Sequence, residues 1–166
     1  TFRPDLKSED DLWQNLRHKI IQNNQAELND VTLTDKEFVL LKTELLSRTQ
    51  TPFGAAKWLK GENGIARITI PREDVSLGAM SLVLYSNRDI GGGISSYEVV
   101  HQIAKQRSSA DGRDRRFDVT LLINGLPIAQ IELKQVTTKD GIYQAFNQVK
   151  KYAEEAVRKQ MRQLQR

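Results

Sequence analysis

Cysteine is absent from this chain of 166 residues, and histidine occurs only twice. The first absence excludes disulfides and fits a reducing cytosol, so a cytoplasmic location is expected. Together the two leave no thiolate and little imidazole to argue for a zinc site. No apolar run approaches the length of a membrane span, no secretory signal is visible, and no internal repeat or low-complexity tract occurs. What is present is ordinary for a globular domain with a real core: 39% of residues are hydrophobic and 28% charged. The net charge of +4 suits a polyanionic partner. The cations are grouped. Lys105, Arg107, Arg113, Arg115 and Arg116 lie ahead of Asp118, and Lys139, Lys150, Lys151, Arg158, Lys159, Arg162 and Arg166 follow Lys134. Phosphate contacts from such residues weaken with salt and carry little sequence information.

Along the chain, Asp11 to Asn24 reads as a helix with Leu12, Trp13, Leu16 and Ile20 on one side. Thr34-Asp35-Lys36-Glu37 is a capping box opening a second helix that runs to about Arg48. Thr51-Pro52 starts a third, short helix ending near Gly61. Gly64 to Pro71, Met80 to Ser86 and about Tyr97 to Ala104 read as strands, with a flexible loop at Gly91-Gly92-Gly93 and a polar one from Arg107 to Asp114. Helices, then a run of strands, then a helix predict an α+β fold with a mixed central sheet flanked by helices.

The stretch from Phe117 to Lys134 carries the chemistry. Side chains on a strand alternate between faces. Phe117, Val119, Leu121 and Ile123, with Ala129, Ile131 and Leu133, make one apolar face. The other series, Asp118, Thr120 and Leu122, then Ile128, Gln130, Glu132 and Lys134, is apolar near the turn and polar at the far end. Asn124-Gly125 supplies the turn, since both residues tolerate positive φ. Pro127 lacks an N–H and belongs in the loop or at the start of the second strand. A loop with an odd number of residues centred on Gly125 places Asp118 opposite Glu132, with Cβ atoms roughly 4.5–5.5 Å apart. Lys134, two positions on, shares their face.

Two carboxylates that close repel each other, and a divalent cation removes the conflict. Hard oxygen ligands favour Mg²⁺, Mn²⁺ or Ca²⁺. Mg²⁺ held by one or two carboxylates polarises a phosphoryl group and lowers the pKa of a bound water. A neighbouring lysine orients the attacking water or neutralises charge at phosphorus. From Gly141 the pattern turns helical: Ile142, Ala145, Phe146, Val149, Ala153, Ala156 and Val157 form an apolar stripe. Gln144, Gln148 and Tyr152 lie at i, i+4 and i+8 on its flank. If the stripe packs on the hairpin, that flank lies over the carboxylate end. On spacing alone, a solvated Gln148 and a core-edge Tyr152 are the better reading, and only a family resemblance reverses it.

Asp118, thirteen intervening residues, then Glu132-Leu133-Lys134 resembles the PD-(D/E)xK nuclease signature. Gly112-Arg113-Asp114-Arg115-Arg116-Phe117-Asp118 is similar to the lead-in of RecB-like nucleases, with one extra residue, and Gln148 to Tyr152 matches their Gln-x-x-x-Tyr motif. More narrowly, about residues 112–155 resemble the N-terminal nuclease domain of the restriction (motor) subunit of type I restriction enzymes. The resemblance implies a restriction-endonuclease-like core and Mg²⁺-dependent endonucleolytic cleavage of double-stranded DNA. Asp118 and Glu132 would hold the metal, with Lys134, Gln148 and Tyr152 completing the catalytic set. It also implies partnership with methylation and specificity subunits, and ATP-driven translocation by motor domains. This chain has no Gly-x-x-x-x-Gly-Lys-Ser/Thr loop and no initiator methionine, and it ends while a helix is still running. A fragment of a longer polypeptide is therefore expected, with a helical region at 1–62 and the nuclease core at 63–166 packed as one unit. Nucleases of this fold often add an acidic residue from an early helix, for which Glu9, Glu37 and Glu44 are candidates. His101 precedes the motif and is assigned a structural role. The alternatives are a RecB-like repair exonuclease and a non-cleaving DNA-binding or subunit-docking module.

Overall fold

A computed structural model describes residues 1–29, 31–89, 93, 95–105, 115–133, 143, 144, 146–151 and 154. Four helices come first: α1 (Glu9–Asn23), α2 (Gln25–Leu28), α3 (Asp35–Arg48) and α4 (Pro52–Lys60). Five strands follow: β1 (Ile65–Pro71), β2 (Ala79–Ser86), β3 (Tyr97–Lys105), β4 (Arg115–Ile123) and β5 (Leu126–Ile131). Residues 143, 144, 146–151 and 154 are helical. The architecture is α+β, as expected. Two antiparallel sheets are present, β1–β2 and β3–β4–β5. The parallel component of the expected mixed sheet is confined, among the described residues, to a bridge between Phe2 and Val99.

Local chemistry explains the helix ends. Thr34 Oγ1 accepts from the Glu37 amide while the Glu37 carboxylate accepts from the Thr34 amide, closing the expected capping box. A second box, Ser8 with Asp11, starts α1 two residues earlier than the apolar pattern indicates. Glu37 does more than cap. It is 1% exposed, its Oε1 accepts from the Glu73 amide at 2.9 Å, and Arg72 Nε stands 2.9 Å from the same oxygen. That N–H is not aimed along a hydrogen-bond axis, so the Arg72 contact is an ion pair only. A buried charge of this kind is tolerable because it is both paired and hydrogen-bonded.

Alternation in β1 buries Ala66, Ile68 and Ile70, and in β2 Met80, Leu82 and Leu84. Leu16 and Ile20 of α1, and Phe38, Leu41 and Leu45 of α3, complete the main core. Helices and first hairpin thus share one hydrophobic cluster. Leu126, the first residue of β5, belongs to it, whereas Leu6, Val100, Ile103 and Leu122 form a smaller cluster.

The β4–β5 hairpin attains the expected register by a different route. Ile123 pairs with Leu126, so the turn is only Asn124-Gly125, both with positive φ (52° and 78°). Leu122 pairs with Pro127, but Leu121 pairs with Ala129, so a bulge leaves Ile128 unpaired. Proline cannot donate to the ladder, and a bulge beside it absorbs the break. Beyond it, Thr120 pairs with Gln130 and Val119 with Ile131. The odd offset therefore comes from the bulge and not from an odd-numbered loop.

The core face is also the reverse of what the apolar odd series suggests. Thr120 and Leu122 are buried (2% and 1% exposed), while Val119, Leu121 and Ile123 are half-buried and Ile131 and Leu133 are exposed. The turn end of the even face is apolar enough to join the cores, and its polar end emerges from them. The turn itself is fastened. The Asn124 amide donates to Ser96 O and the Ser96 amide to Asn124 Oδ1, both at 2.9 Å. Gly125 lies so close to α1 that an added Cβ would stand 2.8 Å from Leu16 Cα.

In β3, strict alternation breaks at Gln102, whose φ is +53°. This rotates the chain by one face, so Val100 and Ile103, three apart, are both buried. Gln102 occupies the register position opposite Asp118, between the His101–Val119 and Ile103–Phe117 pairs.

Gly125→Ala is expected to destabilise the chain by about 2–4 kcal/mol in urea unfolding, through left-handed backbone cost plus overpacking against Leu16. Gly125→Asn, which tolerates positive φ, should still lose about 1–3 kcal/mol because its Cβ meets Leu16. Full stability in that variant would exclude the Leu16 contact as a constraint. Gln102→Val is expected to lose about 1–2 kcal/mol while Gln102→Gly loses nothing. The opposite order in the same measurement would contradict the strained backbone.

Candidate active site

The even face of the second hairpin delivers Asp118 on β4 to the open end, and the register carried one step past Val119–Ile131 sets Glu132 beside it. Glu132 lies just beyond β5, where the ladder ends. Asp118 Oδ2 accepts the amide of Leu133 at 2.7 Å, tying the aspartate to the backbone next to Glu132. Glu132 Oε2 accepts from Gln148 Nε2 at 2.9 Å. All three side chains are half-buried. The structure therefore brings together Asp118, Glu132 and Gln148, residues far apart in the chain. Lys134 and Tyr152, the other two expected site residues, lie outside the described residues, as do the Arg107–Asp114 loop and most of the glycine loop.

Gln148 reaches Glu132 without the packing expected of its helix. Phe146 and Val149, the described members of the apolar stripe, are 64% and 55% exposed, and Ile131 and Leu133 are exposed as well. The link from helix to hairpin among the described residues is polar. Lys150, one of the expected phosphate contacts, stands 4.0 Å from Glu154.

The donor set suits a hard cation. The register sets two acidic residues on adjacent chain segments, and Asp118 Oδ1 accepts no hydrogen bond among the described residues. No group of three or more acidic or histidine side chains that could hold a metal occurs among them. Two protein carboxylates, with substrate oxygens and water supplying the rest, is the usual way Mg²⁺ is held.

None of the early-helix candidates joins this pair. Glu37 is consumed by the cap and by Arg72. Glu9 accepts from the Trp13 indole at 3.4 Å, and Glu44 lies 3.5 Å from Arg48 on the same helix. His101 stacks edge-on against Phe2, with ring centroids 5.0 Å apart. The buried acid on the central sheet is instead Glu98, 4% exposed, which accepts from Asn15 Nδ2 at 2.8 Å and from Arg3, with Lys19 at 3.7 Å. Burial alone would raise its pKa. The hydrogen bonds from Asn15 and Arg3 and the nearby positive charges outweigh this and hold it below the ordinary glutamate value. Its oxygens are committed to those partners and offer nothing to a metal.

Sequence reasoning missed Gln102 as the residue across from Asp118. Its signal was the spacing of Val99, Val100, Ile103 and Ala104, which does not follow period two. No signal marked the Glu98 cluster, whose members lie on three separate segments.

Among the described residues, no helix is long and apolar enough to cross a membrane. A family model described as the type I restriction enzyme R protein N terminus matches residues 2–166. A type I restriction enzyme endonuclease subunit of Staphylococcus saprophyticus is 33% identical over 147 residues, covering 89% of this chain and 14% of the relative. One of Staphylococcus aureus is 31% identical over 150 residues, covering 90% and 14%. One of Escherichia coli is 46% identical over 55 residues, covering 33% of this chain and 17% of the relative. The chain thus spans about 14% of the length of the staphylococcal relatives. No solved structure matches. Helices with small antiparallel sheets are consistent with a restriction-endonuclease-like core. From motif, hairpin and whole-chain match together, the chain belongs to the family of type I restriction enzyme R protein N termini.

Proposed function

We propose that this chain is the DNA-cleaving part of the endonuclease subunit of a type I restriction enzyme, and that Asp118 and Glu132 hold a Mg²⁺ ion for hydrolysis of phosphodiester bonds in duplex DNA. The observation that carries this reading is the meeting of Asp118, Glu132 and Gln148 at one end of the hairpin. When bound, the ion supplies Lewis acidity toward a phosphoryl oxygen and toward an attacking water.

The chain's own residues do the positioning. The Leu133 amide fixes the Asp118 carboxylate, and the Gln148 amide orients Glu132. Such outer contacts set how ligands present their lone pairs. Lys134, two residues past Glu132, brings an ammonium to neutralise charge as the bond to the leaving oxygen lengthens. Tyr152, four residues beyond Gln148 in the sequence, is the residue the motif assigns to a phosphate oxygen. The whole subunit adds ATP-driven translocation from its motor domains. Specificity subunits supply target recognition alongside methylation subunits, and the assembly works in the cytoplasm.

In the complete restriction enzyme acting on unmodified DNA, Asp118→Asn, Glu132→Gln and Lys134→Ala should each lower the cleavage rate roughly 10²–10³-fold or more, as loss of one electrostatic element of an active site usually does. ATP hydrolysis should persist. Gln148→Ala, which removes only an orienting contact, should cost about 10–100-fold. A Glu132→Gln enzyme that cuts at the parental rate would overturn the proposal.

A further inference from the structure

The arginines of this chain sort into two classes. Six of them have described side chains. Arg3 pairs with Asp5 and Glu98, Arg17 with Asp35 at 2.7 Å, and Arg72 with Glu37 at 2.9 Å. The other three, Arg48, Arg67 and Arg88, all line one groove of about 490 Å³ between the end of α3, α4 and the β1–β2 hairpin. Arg67 and Arg88 form no ion pair among the described residues, and Arg48 has only an exposed contact of 3.5 Å to Glu44. Exposed pairs of that kind contribute little. Among the described residues, Glu62 is the one acidic residue in the wall. Three arginines lining one groove place positive charge in a concave site, where the field is focused.

The wall is built rather than incidental. Trp58, half-buried in α4, donates its indole N–H to Arg67 O at 3.4 Å and closes one side. The register of β1 against β2 shifts between Ala66 and Arg67, and a bulge at this level sets how Arg67 leaves the strand. Gly61, with φ of +56°, turns the chain so tightly that an added Cβ would fall 2.1 Å from Ile65 O. The volume lies in the range of sites that enclose a nucleotide-sized group.

We infer that this groove is a second polyanion site, separate in its residues from the carboxylate centre, that grips phosphates of a nucleic-acid backbone. Planar guanidinium forks match phosphate oxygens in pairs, which a lysine cluster does not. An aromatic wall beside such cations is a common arrangement for nucleotide contact. The inference rests on the reading of the chain as one that acts on DNA, but it concerns grip and not cutting.

The test is anisotropy of a labelled duplex of ~20 base pairs titrated with the 166-residue chain in EDTA at several salt concentrations, so that cleavage plays no part. The variant Arg48→Ala/Arg67→Ala/Arg88→Ala should bind at least about tenfold more weakly near 0.1 M salt, and the slope of log K against log salt should shrink by about 2–3. The triple lysine variant keeps the charges and should keep the slope, which separates loss of contacts from loss of fold. An unchanged slope in the alanine variant overturns the inference, and so does undetectable duplex binding by the parent chain. Arginine-dependent binding of polyglutamate as tight as that of the duplex would assign the groove to an acidic protein and also overturn it, as would binding of ATP but not of the duplex. Cleavage by the Glu132→Gln enzyme bears on the carboxylate centre alone, so the two readings fail separately.

Discussion

One tight turn governs this molecule. Asn124 and Gly125 adopt positive φ, join the main core through the adjoining Leu126, and are pinned to Ser96 and to the backbone of α1 at Leu16. The Asp118–Glu132 pair lies at the other end of the ribbon that this turn begins. In a strand pair, a slip of one residue sends every side chain to the opposite face. A fastened turn therefore acts at a distance: it determines that Asp118 and Glu132, and no other pair, emerge side by side. The bulge at Ile128 is the second half of the same device, because it converts a two-residue turn into the offset that the carboxylates need.

The hairpin's even face shows how one strand serves both packing and chemistry. Leu122 and Thr120 sit in the protein interior, and Asp118, two residues further from the turn, is half-buried at its margin. Rigid backbone is supplied by the apolar half, and polar groups are presented by the other. The buried charges elsewhere are handled differently. Glu37 and Glu98 are each enclosed by hydrogen-bond donors and a cation, which leaves them structural and unavailable to a ligand. Asp118 and Glu132 differ in place: they stand at the open end of the hairpin, each held by a hydrogen bond from the neighbouring chain.

Much of this was legible in the sequence where local chemistry decides. The Thr34–Glu37 box, Pro52 at a helix start, alternation through Ile68 and Ile70, and the Asn-Gly turn each have one short-range cause. The Asp118–Glu132 juxtaposition was legible too, although for a reason that proved to be only half right, since a bulge next to a proline leaves no distinct sequence mark. Which face of the hairpin would be buried was not legible. Both faces carry apolar residues near the turn, and the choice depends on which one α1 and Leu6 cover. Gln102 was missed because strand alternation was assumed where the chain rotates. The groove arginines were missed because pairing is a tertiary property: Arg48, Arg67 and Arg88 look no different in sequence from Arg3, Arg17 and Arg72. The parts assigned to Lys134 and Tyr152 rest on the motif.

The most direct measurement is Mn²⁺ uptake, followed by electron paramagnetic resonance, in the parent chain and in a variant with one glycine inserted between Ala129 and Gln130. If register holds the two carboxylates together, the parent takes up a divalent ion at the hairpin, with Glu132→Gln abolishing it. The insertion slides the end of β5 by one residue against β4, so that Ile131 and not Glu132 falls opposite Asp118, and the folded variant then loses the ion. Undiminished Mn²⁺ binding in the insertion variant, with its helices and cores intact, would contradict control of the site by hairpin register.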